Sequence, residues 1–393
     1  FGFVEKAKVD FSDIEGTEWF VEDIAKAVAA GYMKGDAEGT FRPEDPIARQ
    51  EAALVLARIY ELEDQGKKHL FKDLDEIASW SFWAVMAVVD AGLMEGYPDG
   101  TFGPKSPIKR SETVTVLDRL VAEVFAEKGL YGKEDSTTTI AGNVHVLADG
   151  VEIQNTKITG DLLIAQSVGY GTVILDNVTV DGNVKVQGGG KDSIILRNSK
   201  IASLEVVRKD VRIVITGGTE IAEVYVKVPS TIAQEEVEGE GIVVLIIEDL
   251  TGEGVVTISG NFQEVRITGE GANVVVIDGQ VENLYIEAPG AVVELGSDAT
   301  ITNLVVNEPA EVTGTGSIIN ATINASDTVI EPEPENVTIP EGVTVVIAGE
   351  EVVGGEEPEE PEEPEEPEEP EEPVEPEEPE DTTKPTLISL TAY

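Results

Sequence analysis

The stretch ILDNVTVDGNVKV, from Ile174 to Val186, has two close relatives in the same chain: EIQNTKITGDLLI (Glu152 to Ile164) and ILRNSKIASLEV (Ile195 to Val206). All three carry an asparagine at the same place, Asn155, Asn177 and Asn198, at spacings of 22 and 21 residues. A second signature runs further: two apolar residues three apart, then a third two positions on. It recurs as Ile201, Leu204, Val206; Ile221, Val224, Val226; Phe262, Val265, Ile267; Val281, Leu284, Ile286; and Ile301, Leu304, Val306. A recurrence of about 20 residues suits one coil of a parallel β-solenoid, in which each coil buries its inward side chains against the next. An immunoglobulin-like sandwich would alternate on a shorter cycle without self-similarity. Residues 137–355 are therefore expected to form an all-β parallel solenoid, with PSTIAQEEVEGEG (Pro229 to Gly241) breaking the rhythm as a loop between coils.

Working outward, residues 1–133 have a different texture. TEWFVEDIAKAVAAG places Ile24, Ala27, Val28 and Gly31 at helical spacing, and SETVTVLDRLVAEVF does the same for Val114, Leu117, Leu120, Val121, Val124 and Phe125. An all-α region is expected here. On the other side, EEPEEPEEPEEPEEPEEPVEPEEPE (residues 356–380) has proline at every third position through most of its length. Polyproline II geometry and glutamate repulsion would make it an extended spacer, roughly 78 Å long at about 3.1 Å per residue. Residues 381–393 alternate like the first strand of a further β domain, or like a strand that pairs with a neighbouring subunit.

Charge limits what the chain can meet. It has 393 residues, 77 acids against 27 bases and a net charge of −50. Such a surface repels a phosphate backbone and anionic lipid, which excludes general nucleic-acid binding. No apolar run approaches the roughly 20 residues that span a bilayer, so no membrane insertion is expected. There are no cysteines, which excludes disulfide frameworks and thiolate metal sites. Of the 27 bases, 16 lie in residues 1–135, so cationic chemistry is concentrated there.

Within that third the chain repeats itself. GTFRPEDPIARQE (Gly39 to Glu51) returns as GTFGPKSPIKRSE (Gly100 to Glu112). The match extends to Trp19 and Trp80, Gly31 and Gly92, Gly35 and Gly96, all at an offset of 61, with FSD and FKD upstream. Repeat 1 covers about 10–62 and repeat 2 about 70–126. Arg49 and Arg110 stand at helix starts, where the helix dipole disfavours a cation by a few tenths to about 1 kcal/mol. Together with free backbone N–H groups, a guanidinium there suits a carboxylate-bearing ligand. The simpler alternative is that each Arg pairs with an acid of its hairpin. Glu51 and Glu112 fit helix capping or Arg orientation, Trp19 and Trp80 fit the core or sugar stacking, and Gly35, Gly39, Gly96 and Gly100 fit turns.

The pattern F-x-D, W, helix, G-x-x-x-G-x-x-x-G-T-F-x-P, P-I-x-R-x-E resembles the S-layer homology domain of bacterial cell-surface proteins. The family's Thr-Arg-Ala-Glu signature is represented by ARQE (Ala48 to Glu51) and KRSE (Lys109 to Glu112), which keep Arg and Glu only. The resemblance implies helical hairpins, three per bundle, with grooves that bind pyruvylated secondary cell-wall polysaccharide. It would make Arg49, Arg110, Glu51, Glu112, Trp19, Trp80, Gly35, Gly39, Gly96 and Gly100 the wall-polysaccharide-binding set. Two repeats are visible, so a third would come from elsewhere or from oligomers. Residues 140–230 also resemble solenoid segments that follow such domains in Gram-positive surface proteins, which implies a spacer or lattice role.

The expectation is a structural, non-enzymatic protein, secreted and held at the surface of a Gram-positive bacterium, self-associating into a lattice or filament. A chain opening with Phe1 fits removal of a signal peptide. The rivals are a wall-anchored polysaccharide lyase or hydrolase on the β-helix, and an adhesin. Against an enzyme, aromatics in the solenoid are few, chiefly Tyr170, Tyr225, Phe262 and Tyr285, and His69 and His145 lack metal-spaced partners. GGGKDS (Gly188 to Ser193) fits a turn better than a phosphate loop. No cofactor is expected; calcium could be recruited by acidic oxygens, though no loop is singled out.

Overall fold

The computed structural model describes residues 3–66, 69–191, 193–248 and 254–355. The spacer at 356–380 and the strand expected at 381–393 lie outside the described residues.

The described N-terminal residues form four α-helices, α1 (Val21–Ala29) and α2 (Arg49–Ile59) in repeat 1 and α3 (Phe82–Asp90) and α4 (Arg110–Leu120) in repeat 2, with a 3-10 turn at Leu74–Glu76. α1 and α3 each stop beside a glycine with positive φ, Gly31 at 73° and Gly92 at 68°, where an L side chain would be strained. The two repeats share one core. Ala53, Leu56 and Ala57 of α2 are buried with Ala84, Val85 and Val88 of α3 and with Phe102. Small residues on α2 let the two helices approach closely.

The helical region ends earlier than the apolar spacing suggests. α4 stops at Leu120, and Glu123–Phe125, expected to continue the helix, is a strand paired in parallel with Val144–Val146. Phe125 is buried and its ring lies 4.1 Å from that of Tyr131. It closes the first coil, so packing against the solenoid overrides a helical spacing that Val, with its preference for strands, supports only weakly. The solenoid thus starts at Glu123, not at residue 137.

From there parallel pairing continues to Thr344–Ile347. One inward column reads Val144, Leu162, Val184, Leu204, Val224, Leu245, Val265, Leu284, Leu304, Ala321, each residue in register with the next. A second reads Val151, Val173, Ile194, Ile213, Ile232, Ile258, Val276, Leu295. These columns are almost wholly removed from water, each side chain contributing about 1.5–3 kcal/mol relative to exposure. The middle residue of each apolar triplet stands in the first column, and its two flanking residues are buried beside it.

The repeated asparagines occupy a corner where the chain turns between the positions of these two columns. Asn155, Asn177 and Asn198 have φ of 46°, 55° and 50°, a left-handed conformation that Asn tolerates better than other non-glycine residues. Their amides also stack: Asn177 Nδ2 donates to Asn155 Oδ1 at 2.7 Å. In the next coil Gly217 takes the corner at φ 60°, and a Cβ there would sit 2.5 Å from Asn198 Oδ1. The asparagine signature lapses for that reason while the apolar one persists. The expected loop at Pro229 to Gly241 is mostly strand: Thr231–Val237 pairs with Arg212–Gly217 and carries one register shift near Glu236, whose φ is 49°. At the far end, Glu350–Val353 folds back antiparallel on Thr344–Ile347 and caps the last coil.

Candidate binding site in the helical repeats

Each repeat is built around an aspartate clamp. Asp13 accepts the N–H groups of Phe41 (2.9 Å) and Arg42 (2.7 Å), and Asp73 accepts those of Phe102 and Gly103, both at 2.8 Å. The bonds from Phe41 and Arg42 hold the Asp13 carboxyl below its usual range. The preceding aromatics, Phe11 and Phe71, lie against Phe41 and Phe102 at 5.2 and 5.5 Å. A Cβ on Gly35 or Gly96 would strike the Phe11 or Phe71 ring, and Gly39 and Gly100 have φ of 78° and 86°. All four glycines are thus required by the loop itself.

The glutamates cap. Glu51 accepts the Ala48 N–H at 2.7 Å and Glu112 the Lys109 N–H at 2.9 Å. Burial alone would raise the Glu112 carboxyl; the Lys109 N–H, Tyr97 and Arg49 together bring it below its ordinary value.

The two arginines, alike in sequence, differ completely in place. Arg49 is 3% exposed and crosses into repeat 2. Its Nε donates to Phe102 O at 2.8 Å, its Nη2 to Glu95 O at 2.7 Å, and its Nη1 lies 3.3 Å from the Glu112 carboxylate. Its guanidinium carbon stands 4.6 Å from the Tyr97 ring centre and 4.9 Å from that of Phe102. Backbone bonds from Arg49 N to Ser106 O (2.8 Å) and from Gln50 N to Pro104 O (3.0 Å) complete the joint. Expected at a ligand, Arg49 instead ties the repeats together, because its donors are spent inside the protein. Arg110 is exposed and makes no hydrogen bond or ion pair with the described residues. The α4 face beside it shows Val114 and Leu117 at 65% and 55% exposure, where their counterparts Ala53 and Leu56 are buried.

The tryptophans are not core: Trp19 is 87% and Trp80 50% exposed. Trp80 lines a groove of about 650 Å³ with Lys34, Gly35, Phe41, Arg42, Glu51 and Arg58 among its other walls. The groove draws on both repeats. Of the expected site residues it gathers Gly35, Glu51 and Trp80, and it does not gather Arg49, Arg110, Glu112, Trp19, Gly39, Gly96 or Gly100. Its cations were missed by the sequence reading. Arg42 has φ 57° where repeat 2 has Gly103 at 69°, and its Nη2 lies 3.0 Å from Glu51 Oε1. Arg58 matches Arg119 at the same offset of 61, a recurrence that could have found it.

Residues 10–53 and 70–114 match the S-layer homology domain. A cellulosome-anchoring protein of Acetivibrio thermocellus is 39% identical over 116 residues, 28% of this chain and 26% of that protein. A surface-layer 125 kDa protein of Lysinibacillus sphaericus is 37% identical over 108 residues, 28% of this chain and 9% of that protein. An amylopullulanase of Thermoanaerobacterium thermosulfurigenes is 30% identical over 113 residues, 28% of this chain and 6% of that protein. The chain spans about a quarter or less of the length of these relatives. Among solved structures, a cell-surface-expressed chitinase from Paenibacillus sp. str. FPU-7 overlaps 40% of this chain and 14% of its own, at 26% identity and a TM-score of 0.35. Two S-layer homology segments therefore precede a β-solenoid body.

Proposed function

We propose that the two S-layer homology segments anchor this protein non-covalently to a pyruvylated secondary cell-wall polysaccharide, and that the solenoid is a rigid body displayed at the surface of a Gram-positive cell. The observation that carries the reading is the groove at the junction of the repeats. It combines a half-exposed indole, Trp80, which suits the apolar face of a sugar ring, with cationic side chains otherwise scarce in a chain of net charge −50. The cellulosome-anchoring and surface-layer relatives share this part of the chain.

Three of the four solenoid aromatics support a structural role, while Tyr170 stands 81% exposed beneath Arg208. Phe262 is core at 3% exposure, the Tyr225 hydroxyl donates to Glu223 at 2.8 Å, and the Tyr285 ring is covered by Arg266 at 4.7 Å. Self-association through the end of the solenoid would use the outer edge of Glu350–Val353, a strand that pairs on one side only among the described residues.

A second reading, a wall-anchored glycan-degrading enzyme, is favoured by one feature. A groove of about 570 Å³ opens beside the irregular coil and is lined by Glu236, Glu240, Glu282 and the amides of Gln263 and Gln280. The amylopullulanase relative carries the matched segment in an enzyme.

Co-sedimentation of the full chain with purified cell walls, before and after chemical extraction of the secondary polymer, tests anchoring. Binding to intact walls only is expected; equal binding to stripped walls overturns it. Reducing-sugar release from acidic glycans would favour the enzyme.

A further inference from the structure

One outward column of the solenoid begins with His145, Leu163 and Lys185, and there it packs against protein. These residues line a small cavity with Tyr32, Ile59 and Tyr60 of repeat 1, and Lys185 pairs with Glu61. In register, the same column runs on through Tyr225, Ile246 and Tyr285 to Val305, Thr322 and Thr338. Along the way the face loses its charge. Lys227 lies 2.7 and 3.5 Å from the carboxylates of Glu205 and Glu248, and Arg266 pairs with Glu264 and Glu287. Beyond Glu287 the outward positions are Asn303, Val305 and Asn307 in one coil and Asn320, Thr322 and Asn324 in the next. The nearest acids, Glu282, Glu308 and Glu335, stand one position outside these columns. Elsewhere on the same coils exposed acids recur, at Glu294, Asp298, Glu311 and Asp327. A chain of net charge −50 thus keeps one sheet face neutral.

The amides on this face are held in fixed orientations. Asn303 donates to Asn283 Oδ1 at 3.0 Å, Asn320 to Asn303 Oδ1 at 3.0 Å and Asn336 to Asn320 Oδ1 at 3.1 Å, while Asn324 donates to Asn307 Oδ1 at 2.8 Å. An amide has two N–H groups and two lone pairs, so a ladder bond on each side leaves hydrogen-bonding capacity for a partner. The hydroxyls of Thr322 and Thr338 make no hydrogen bond with the described residues. The face offers no open aromatic platform to a sugar, because Arg266 covers the Tyr285 ring at 4.7 Å and the Tyr225 hydroxyl is engaged by Glu223. Its chemistry suits a protein surface instead, and groups that both donate and accept are complementary to themselves.

From this neutral face we infer that two copies of the protein pair laterally, with the asparagine and threonine rows of one copy meeting those of the other and Ile246 and Val305 packed between them. The same patch serves on both copies, which makes the contact a twofold one. Two strongly acidic bodies approach where neither presents charge; elsewhere on these coils acids would oppose acids. From the coil of Tyr225 to that of Thr338 the face covers about 30 Å by about 13 Å, on the order of 400 Å² per partner and about half of a standard interface. A single pair is therefore weak, and it gains strength when many copies are held side by side on a wall. The inference rests on the reading of the solenoid as a displayed surface body and names the face through which that body meets its neighbour.

The test is sedimentation equilibrium of the full chain at stepped protein and salt concentrations. The parent is expected to form a weak dimer that tightens as salt screens the acidic bodies from each other. Val305→Glu and Thr322→Glu each set like charges into the contact and are expected to weaken it at least tenfold, with an unchanged melting profile. Thr313→Glu, outward on another side of the same coils, is expected to leave it as it was. The chain has no cysteine, so Val305→Cys carries a single thiol. A flexible thiol cross-linker is expected to join that variant into dimers and to leave Thr313→Cys monomeric, a readout that stands even if a Glu variant unfolds. Association that survives both Glu variants, or equal cross-linking at positions 305 and 313, overturns the inference and leaves self-association through the Glu350–Val353 edge standing. A parent that stays monomeric at every concentration overturns self-association and the inference together, while co-sedimentation with cell walls still decides anchoring.

Discussion

Arg49 Nη1 lies 3.3 Å from Glu112 Oε2, so the first residue of α2 is paired with the carboxylate that caps α4 in the other repeat. Arg49 is buried and Glu112 half-buried, and removing the cation takes the charge partner from Glu112 and the donor from Glu95 O and Phe102 O. Arg49→Ala should lower the stability of the helical region by about 3 kcal/mol or more. Arg110→Ala, at the corresponding exposed position, should cost less than about 0.5 kcal/mol. Thermal unfolding followed by Trp fluorescence measures both, and equal effects would contradict the placement of Arg49.

Gly96 has no room for a side chain because the Phe71 ring occupies the space. Gly96→Ala should displace Phe71 from Phe102 and destabilise repeat 2 by about 1–3 kcal/mol through overpacking. Gly39→Ala meets no atom within 4 Å but sits at φ 78°, so its cost is backbone strain alone, of order 1 kcal/mol. Comparing the two by chemical denaturation separates crowding from conformation.

Asn177 combines a positive φ with a side-chain bond to Asn155. Asn177→Ala should lose both and cost about 2 kcal/mol, whereas Asn177→Gly keeps the conformation and should cost about half as much. Guanidinium unfolding of the solenoid would show that order; Ala equal to Gly would mean that the corner conformation contributes nothing.

His145 is buried on the outer side of the first coils, where it lines a small cavity with Tyr32, Ile59 and Tyr60 of repeat 1, and desolvation lowers its pKa from 6.5 to about 4. Between those values the unfolded chain binds a proton that the folded one does not, so stability falls as pH drops from about 6.5 to about 4 and is flat above. The full loss is on the order of 3 kcal/mol. His145→Gln should flatten the slope across that window in urea unfolding at stepped pH; an unchanged slope would assign it to other groups.

The solenoid was legible because its inward positions demand large aliphatic side chains at a fixed interval. Val184, Leu204, Val224 and Leu245 are spelled out in the chain in the order in which they stack. The helix running to Phe125 was misread because Val121, Val124 and Phe125 fit either period, and what decides is contact with a coil far along the chain. The fate of Arg49 was hidden for another reason. Two of its three partners are carbonyl oxygens, of Glu95 and Phe102, and every residue type offers the same carbonyl. Trp80, whose size suits a core, stands outside because α2 and α3 meet through Ala53, Leu56, Ala57, Ala84, Val85 and Val88.

The antiparallel return of Glu350–Val353 also has a mechanical meaning. It is held to Thr344–Ile347 by four residue pairs, and its own side chains face solvent on most positions. A pull applied between Gly355 and the helical end reaches this short ribbon before it reaches the stacked coils. With only those four pairs to hold it, the ribbon is expected to detach first under load and bare the edge of the last coil while the inner coils stay intact.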